Sequence, residues 1–230
     1  VRARLSGSPE ERASLVRAGA QQGVAEAQAV WGQMLLDEGK PREGFSWFNK
    51  AAAQGHLMAL NMVGRCYDQG WGVAIDKARA AECFRIAAER GLDWGMYNFA
   101  TALTLGEGVP EDKAAALAWF EKACALGNAK AINYIGSFHE DGWVVARNMA
   151  VAADCYARAA EGGDFRGAFN HARMLIADAR YDEAREWLAR CAQSATPAFL
   201  DKAARWLSDS PRPALAEVLR SAPPIARADG

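Results

Sequence analysis

The chain has 230 residues, 51% of them hydrophobic, and its 27 basic and 28 acidic side chains leave a net charge of −1. That balance gives no global field to draw in nucleic acid or an anionic membrane. No run approaches the roughly 20 apolar residues needed to cross a bilayer, and Val1 to Leu5 lack a signal-peptide apolar core. The expected partners therefore include neither nucleic acid nor a membrane span.

In chain order, residues 1–24 hold a lone helix over Glu10 to Gln22, with Ser8 and Pro9 suited to its N-cap and first position. A self-similar unit then recurs. Ala59-Leu-Asn-Met-Val-Gly64 returns at Gly95, Ala131 and Ala168, at steps of 36, 36 and 37 residues, and an earlier copy starts at Ala27. A period of this length marks stacked supersecondary units, none of which buries its apolar face alone.

Each unit reads as helix A, loop, helix B. Leu60, Val63 and Tyr67 fall on one stripe of a helix over Met58 to Gln69. The loop that follows runs from Gly70 to Asp76, with counterparts at Gly106 to Asp112 and Gly142 to Asn148. Its first glycine suits a left-handed C-cap, and Asp76, Asp112 and Asn148 suit N-caps of helix B. Helix B carries an aromatic step and an alanine-rich tail, as in Trp47-Phe48…Ala51-Ala52, and Gly55, Gly91, Gly127 and Gly163 stop it.

Residues 58–163 hold three such copies. The outer ones, 25–57 and 164–193, have shorter turns at Gly39 to Gly44 and Ala179 to Ala184. Residues 194–222 read as C-terminal capping helices, Ala198 to Ser208 and Pro213 to Ser221, that shield the end of the array, and 223–230 as a mobile tail.

The constellation Ala59, Gly64, Tyr67, Gly70, Gly72, Val73, Asp76, Ala80, Phe84, Ala87, Ala88 and Gly91 resembles the Sel-one-like repeat, a branch of the tetratricopeptide superfamily. The outer copies resemble ordinary tetratricopeptide units. The resemblance implies one all-α domain, a right-handed α-solenoid of antiparallel helix pairs, serving as a non-enzymatic scaffold or adaptor for protein partners. Ala100 and Arg173 depart from the pattern at the small helix-A glycine, and Val144 departs at the second loop glycine.

In this superfamily helix A lines the concave groove, so the positions off the packing stripe are the candidate partner contacts. They are Met58, Asn61, Arg65 and Asp68; Trp94, Tyr97 and Thr101; Asn133 and Ser137; and Asn170. Asparagine recurs at one phase, and its amide matches the backbone of an extended peptide. Trp71, Glu107 and Trp143 form a second candidate, a ridge of loop residues in one register. The alternative to a protein partner is a glycan or peptidoglycan fragment stacked on Trp71, Trp94 and Trp143, or hydrolysis by groove carboxylates such as Asp68 and Glu140.

Cofactor and metal signatures are missing. The loop Gly70-Trp-Gly-Val lacks the third glycine of a dinucleotide fingerprint and sits between helices. His56, His139 and His171 show no metal spacing. The five cysteines are odd in number, contain no Cys-x-x-Cys pair and occupy apolar phases, so they read as small hydrophobes. Such thiols favour a reducing, cytoplasmic compartment, and a removed leader would instead allow a periplasmic one.

Overall fold

The computed structural model describes residues 8–221, where thirteen α-helices and one 3₁₀ turn (Pro213–Leu215) are present and no strand occurs. The expected tail at 223–230 lies outside the described residues. The helices are α1 (Pro9–Gln21), α2 (Ala25–Asp37), α3 (Pro41–Ala53), α4 (Leu57–Gln69), α5 (Lys77–Glu89), α6 (Asp93–Leu105), α7 (Lys113–Ala125), α8 (Ala129–Asp141), α9 (Met149–Glu161), α10 (Phe165–Ala177), α11 (Tyr181–Ala192), α12 (Pro197–Ser208) and α13 (Ala216–Arg220). Even-numbered helices from α2 to α10 are A helices, and the odd-numbered ones that follow each are B helices.

The chain forms two compact units, one ending at Asp112 and the other starting at Lys113. In the first, each helix from α1 to α6 packs on its neighbours in sequence, and α4 also touches α6. In the second, α7 to α11 pack in the same sequential way, α8 also touches α10, and α13 lies against α11 and α12.

The caps show why these segments start and stop where they do. Ser8 accepts from the Glu11 amide while the Glu11 carboxylate accepts from the Ser8 amide, a reciprocal box that fixes the start of α1. Asp76 caps α5 through the Arg79 amide at 2.9 Å, and Asn148 caps α9 through Ala150 and Val151. Gly70, Gly106 and Gly142 all adopt the left-handed conformation expected at the ends of α4, α6 and α8.

Close approach between helices sets the spacing within each pair. A Cβ placed on Gly32 would lie 2.9 Å from the Phe48 ring, one on Gly64 2.6 Å from Phe84, and one on Gly136 2.7 Å from Tyr156. The ring of helix B therefore rests directly on the backbone of helix A. The same comparison corrects the register of the last copy. Gly95 faces Ala87 and Ala88, and Gly167 faces Ala159 and Ala160 in the same way, so Gly167 and not Ala168 continues the series. The step is then 36 from Ala59 to Gly167, after a shorter step of 32 from Ala27. The fully buried Ala172, rather than Arg173, takes the place of the helix-A glycine.

The five thiols are free, and Cys66, Cys155 and Cys191 are buried. Burial pushes Cys66 and Cys83 up to about 11 and Cys191 up to about 12, so these groups stay protonated and behave as hydrophobes.

The second loop glycine does more than turn the chain. Gly72 (φ 73°) and Gly108 (φ 75°) sit so close to the start of the preceding B helix that an added Cβ would lie 2.3 Å from the Pro41 carbonyl oxygen or 2.0 Å from that of Lys77. Gly108→Ala is expected to lower stability by about 2 kcal/mol or more, because strain and a backbone clash coincide. Val144 occupies the equivalent position with φ 53° and an exposed side chain. Val144→Gly is accordingly expected to raise the thermal midpoint, by relief of about 1 kcal/mol of left-handed strain, and thermal denaturation of both variants checks the opposite signs.

Candidate interaction face on the A helices

In the first unit the A-helix face is built from α4 and α6. Met58 and Trp94 stand 36 residues apart at one register position in these neighbouring helices, and both remain exposed, at 39% and 37%. Tyr97 meets the Trp94 ring edge to face, with centroids 6.2 Å apart. One helical turn further, the Arg65 guanidinium lies 4.8 Å over the Trp71 ring. Asp68 is ion-paired to Lys77 at 2.7 Å and also accepts from Gln69. Thr101 is half-buried and donates to the Tyr97 carbonyl oxygen at 2.9 Å.

The expected free asparagines require correction. Asn61 is 2% exposed and Asn133 is 5% exposed, and each is bonded to the next A helix of its own unit. Asn98 Nδ2 donates to Asn61 Oδ1 at 2.8 Å, and Asn170 Nδ2 donates to Asn133 Oδ1 at 2.8 Å. Asn98 was not singled out from the sequence because Tyr97 holds the aligned position. With the register corrected, Asn61 and Asn133 share one phase, while Asn98 and Asn170 share the next. A two-repeat pattern of 72 residues is thus hidden within the 36. The amides tie consecutive A helices together instead of facing a ligand. Thr104, one repeat after Asp68, is also buried and donates to the Ala100 carbonyl oxygen.

The corresponding face of the second unit carries a connected polar network. Arg173 makes two bonds to the Glu140 carboxylate, at 3.1 and 2.9 Å, and Tyr156 donates to it at 2.6 Å. The Tyr156 oxygen in turn accepts from the Ser137 hydroxyl at 3.2 Å, and Arg173 Nε donates to Asn170 Oδ1 at 3.2 Å. Burial alone would raise the Glu140 carboxyl, but the bonds from Arg173 and Tyr156 outweigh it and hold the group below the ordinary glutamate range. Burial and the bond to Glu140 push the Tyr156 phenol well up.

The loop ridge folds back on its own helices. Trp71 is half-buried against Phe48, Met62, Val63 and Cys66. Trp143 meets Phe138 edge to face at 5.5 Å with the Lys113 ammonium 5.3 Å over its ring, leaving it 36% exposed. Glu107 accepts from Lys77 at 2.9 Å, so one lysine joins the loop of one repeat to helix A of the repeat before it.

His56 proves to be a structural residue. Its Nδ1 accepts from the Ala59 amide at 3.0 Å as the N-cap of α4, which leaves the ring proton on Nε2, 2.7 Å from Glu26. Among the described residues, no cluster of three or more His, Cys, Asp or Glu side chains is arranged to hold a metal ion, and no helix is long and apolar enough to cross a membrane.

The Sel1 repeat family model matches residues 25–56, 57–92, 95–128 and 129–164, more than half of the chain. The chain belongs to the Sel1 repeat family. The match takes in residues 25–56, which the short turn alone had set apart as tetratricopeptide-like. The chain is 32% identical over 128 residues to chitin synthase regulatory factor 3 of Schizosaccharomyces pombe, a match covering 54% of this chain but 14% of that protein.

Among solved structures it is similar to a protective antigen of uropathogenic Escherichia coli displaying an SLR fold, at 30% identity and a TM-score of 0.66 over 91% of this chain and 48% of the other. It also shares its fold with a Sel1 repeat protein from Oxalobacter formigenes, at 24% identity and a TM-score of 0.69, over 87% and 59%. The chain spans between about one seventh and three fifths of the length of these relatives. Sel1 repeats generally mediate protein–protein interactions and typically act as non-catalytic scaffolds.

Two measurements follow from this Sel1 geometry. Asn61→Ala leaves the Asn98 amide without its acceptor and is expected to destabilise the fold by about 1–2 kcal/mol in denaturant titration. The Glu140 carboxyl binds its proton less readily in the folded chain than in the unfolded one. Its stabilisation is therefore complete above the ordinary glutamate range and is lost as pH falls through the lower folded value. The thermal midpoint of the parent is expected to fall more steeply with acid than that of Glu140→Gln, with the two curves converging at the lowest pH.

Proposed function

We infer that the A-helix face of the first unit docks an extended segment of a protein partner, with an apolar side chain anchored at Met58 and Trp94. The observation that carries this reading is the exposed Met58 and Trp94 pair at one register position of adjacent helices, with Tyr97 against the tryptophan edge. Tryptophan, tyrosine and arginine dominate binding hot spots, and an adaptable methionine suits a pocket for an unbranched or aromatic anchor. Arg65, Asp68 and Thr101 surround the anchor with groups suited to a peptide backbone and to charges of either sign.

The geometry favours a protein segment over a saccharide. A sugar ring stacks on a bare aromatic face, and Trp71 lies under Arg65 while Trp143 has Lys113 over its ring. Hydrolysis by paired carboxylates needs one carboxyl raised so that it can serve as an acid. Asp68 is paired to Lys77, and Glu140 is held as a carboxylate by Arg173.

Trp94→Ala is expected to weaken binding of a co-purifying protein partner by about tenfold or more, while leaving the thermal midpoint nearly unchanged. Asn61→Ala gives the converse, lost stability with retained affinity. A Met58→Ala, Trp94→Ala double variant that binds its partner as tightly as the parent would overturn the reading.

A further inference from the structure

In the second unit a cavity of about 390 Å³ opens where the end of α9, the start of α10 and the end of α11 converge. Its lining includes Asp164, Phe165, Ala168, Arg190, Gln193 and Ser194. The volume lies in the lower range of small-ligand sites.

Asp164 is 5% exposed and caps α10 through one oxygen only, Oδ2 accepting from the Gly167 amide at 2.8 Å. Its Oδ1 is buried and has no hydrogen-bond partner among the described residues. Capping does not account for that second oxygen. The same register position, at steps of 36, holds His56, Leu92 and Asn128. Asn128 caps α8 without a charge, and His56 uses its second polar atom on Glu26. An unsatisfied carboxylate oxygen in the interior is costly, so a neutral cap such as Asn would serve the fold better. Burial raises the Asp164 carboxyl above its ordinary range even against the Gly167 and Arg166 backbone amides and the Arg166 and Lys130 charges.

The other polar groups narrow the chemistry. Arg190, whose guanidinium rests 4.4 Å from the Trp187 ring centre, lines the same cavity, as do Gln193 and Ser194. Lys130 and Arg166 also act on Asp164 electrostatically. A simple cation meets these positive groups, and a simple anion meets the carboxylate. A ligand bearing both charges a few atoms apart satisfies both. We propose that this cavity binds a small zwitterion of the α-amino-acid type, with its ammonium on Asp164, its carboxylate on Arg190 and its apolar part against Phe165 and Ala168. The site is independent of the A-helix face of the first unit.

The test is an amide-resolved NMR titration of the full chain with L-alanine, n-propylamine and propionate in turn. Saturable shifts at Gly163, Gly167 and Ser194 are expected with alanine, and at least about tenfold weaker binding with each single-charge probe. Asp164→Asn retains an acceptor for the Gly167 amide and removes the charge. It is expected to keep or raise the thermal midpoint while weakening alanine binding at least about tenfold. Arg190→Gln, at an exposed position, provides a second variant with the same expected loss if Asp164→Asn fails to fold. Absence of saturable alanine shifts at these amides, an equal response to propionate, or undiminished alanine binding in a folded variant overturns the proposal.

Discussion

Everything else in this molecule depends on an aromatic ring packed directly against a glycine. Phe48 on Gly32, Phe84 on Gly64 and Tyr156 on Gly136 bring helix B into contact with the backbone of helix A, and a single methyl at any of these glycines meets the ring well inside van der Waals distance. That approach fixes the depth of each helix pair. The depth in turn lets the loop glycines reach the preceding B helix, as Gly108 does at Lys77. Ring, glycine and loop are thus parts of one close-packed unit.

Stacking changes what an A helix is. A helix on the surface of a globular domain buries one stripe, but an A helix here is covered by its own B helix, by the preceding B helix and by its neighbouring A helix. Asn61, Met62, Val63, Gly64 and Cys66 are consequently all buried or nearly so, and little of α4 is left to solvent beyond Met58, Arg65 and Gln69. The polar residues trapped by this arrangement pair across the stack. Two asparagine pairs do so in register 72 residues apart, and the Glu140–Arg173–Tyr156 network does so where the second unit meets its last repeat. These groups hold consecutive repeats in register, and what remains exposed on α4 is Met58 with the polar Arg65 and Gln69.

The sequence by itself determined the repeat, the helix pairs and their punctuation, because those signals are local. A left-handed glycine, an N-cap side chain and an aromatic step each act within a few residues and read the same way in every copy. Its helical stripe also left Met58 and Trp94 off the packing face, where both are exposed, and it read the cysteines as hydrophobes. Only the tertiary structure decided which polar residues are available. Asn61 is hidden by Asn98, 37 residues away, and Trp71 is covered by Arg65, contacts that depend on how neighbouring helices rotate and approach. The unpaired oxygen of Asp164 was equally invisible, since an N-cap aspartate looks the same in sequence whether its second oxygen meets water or is buried. Periodicity fixes the phase of a residue along its own helix, whereas burial is set by the three helices around it.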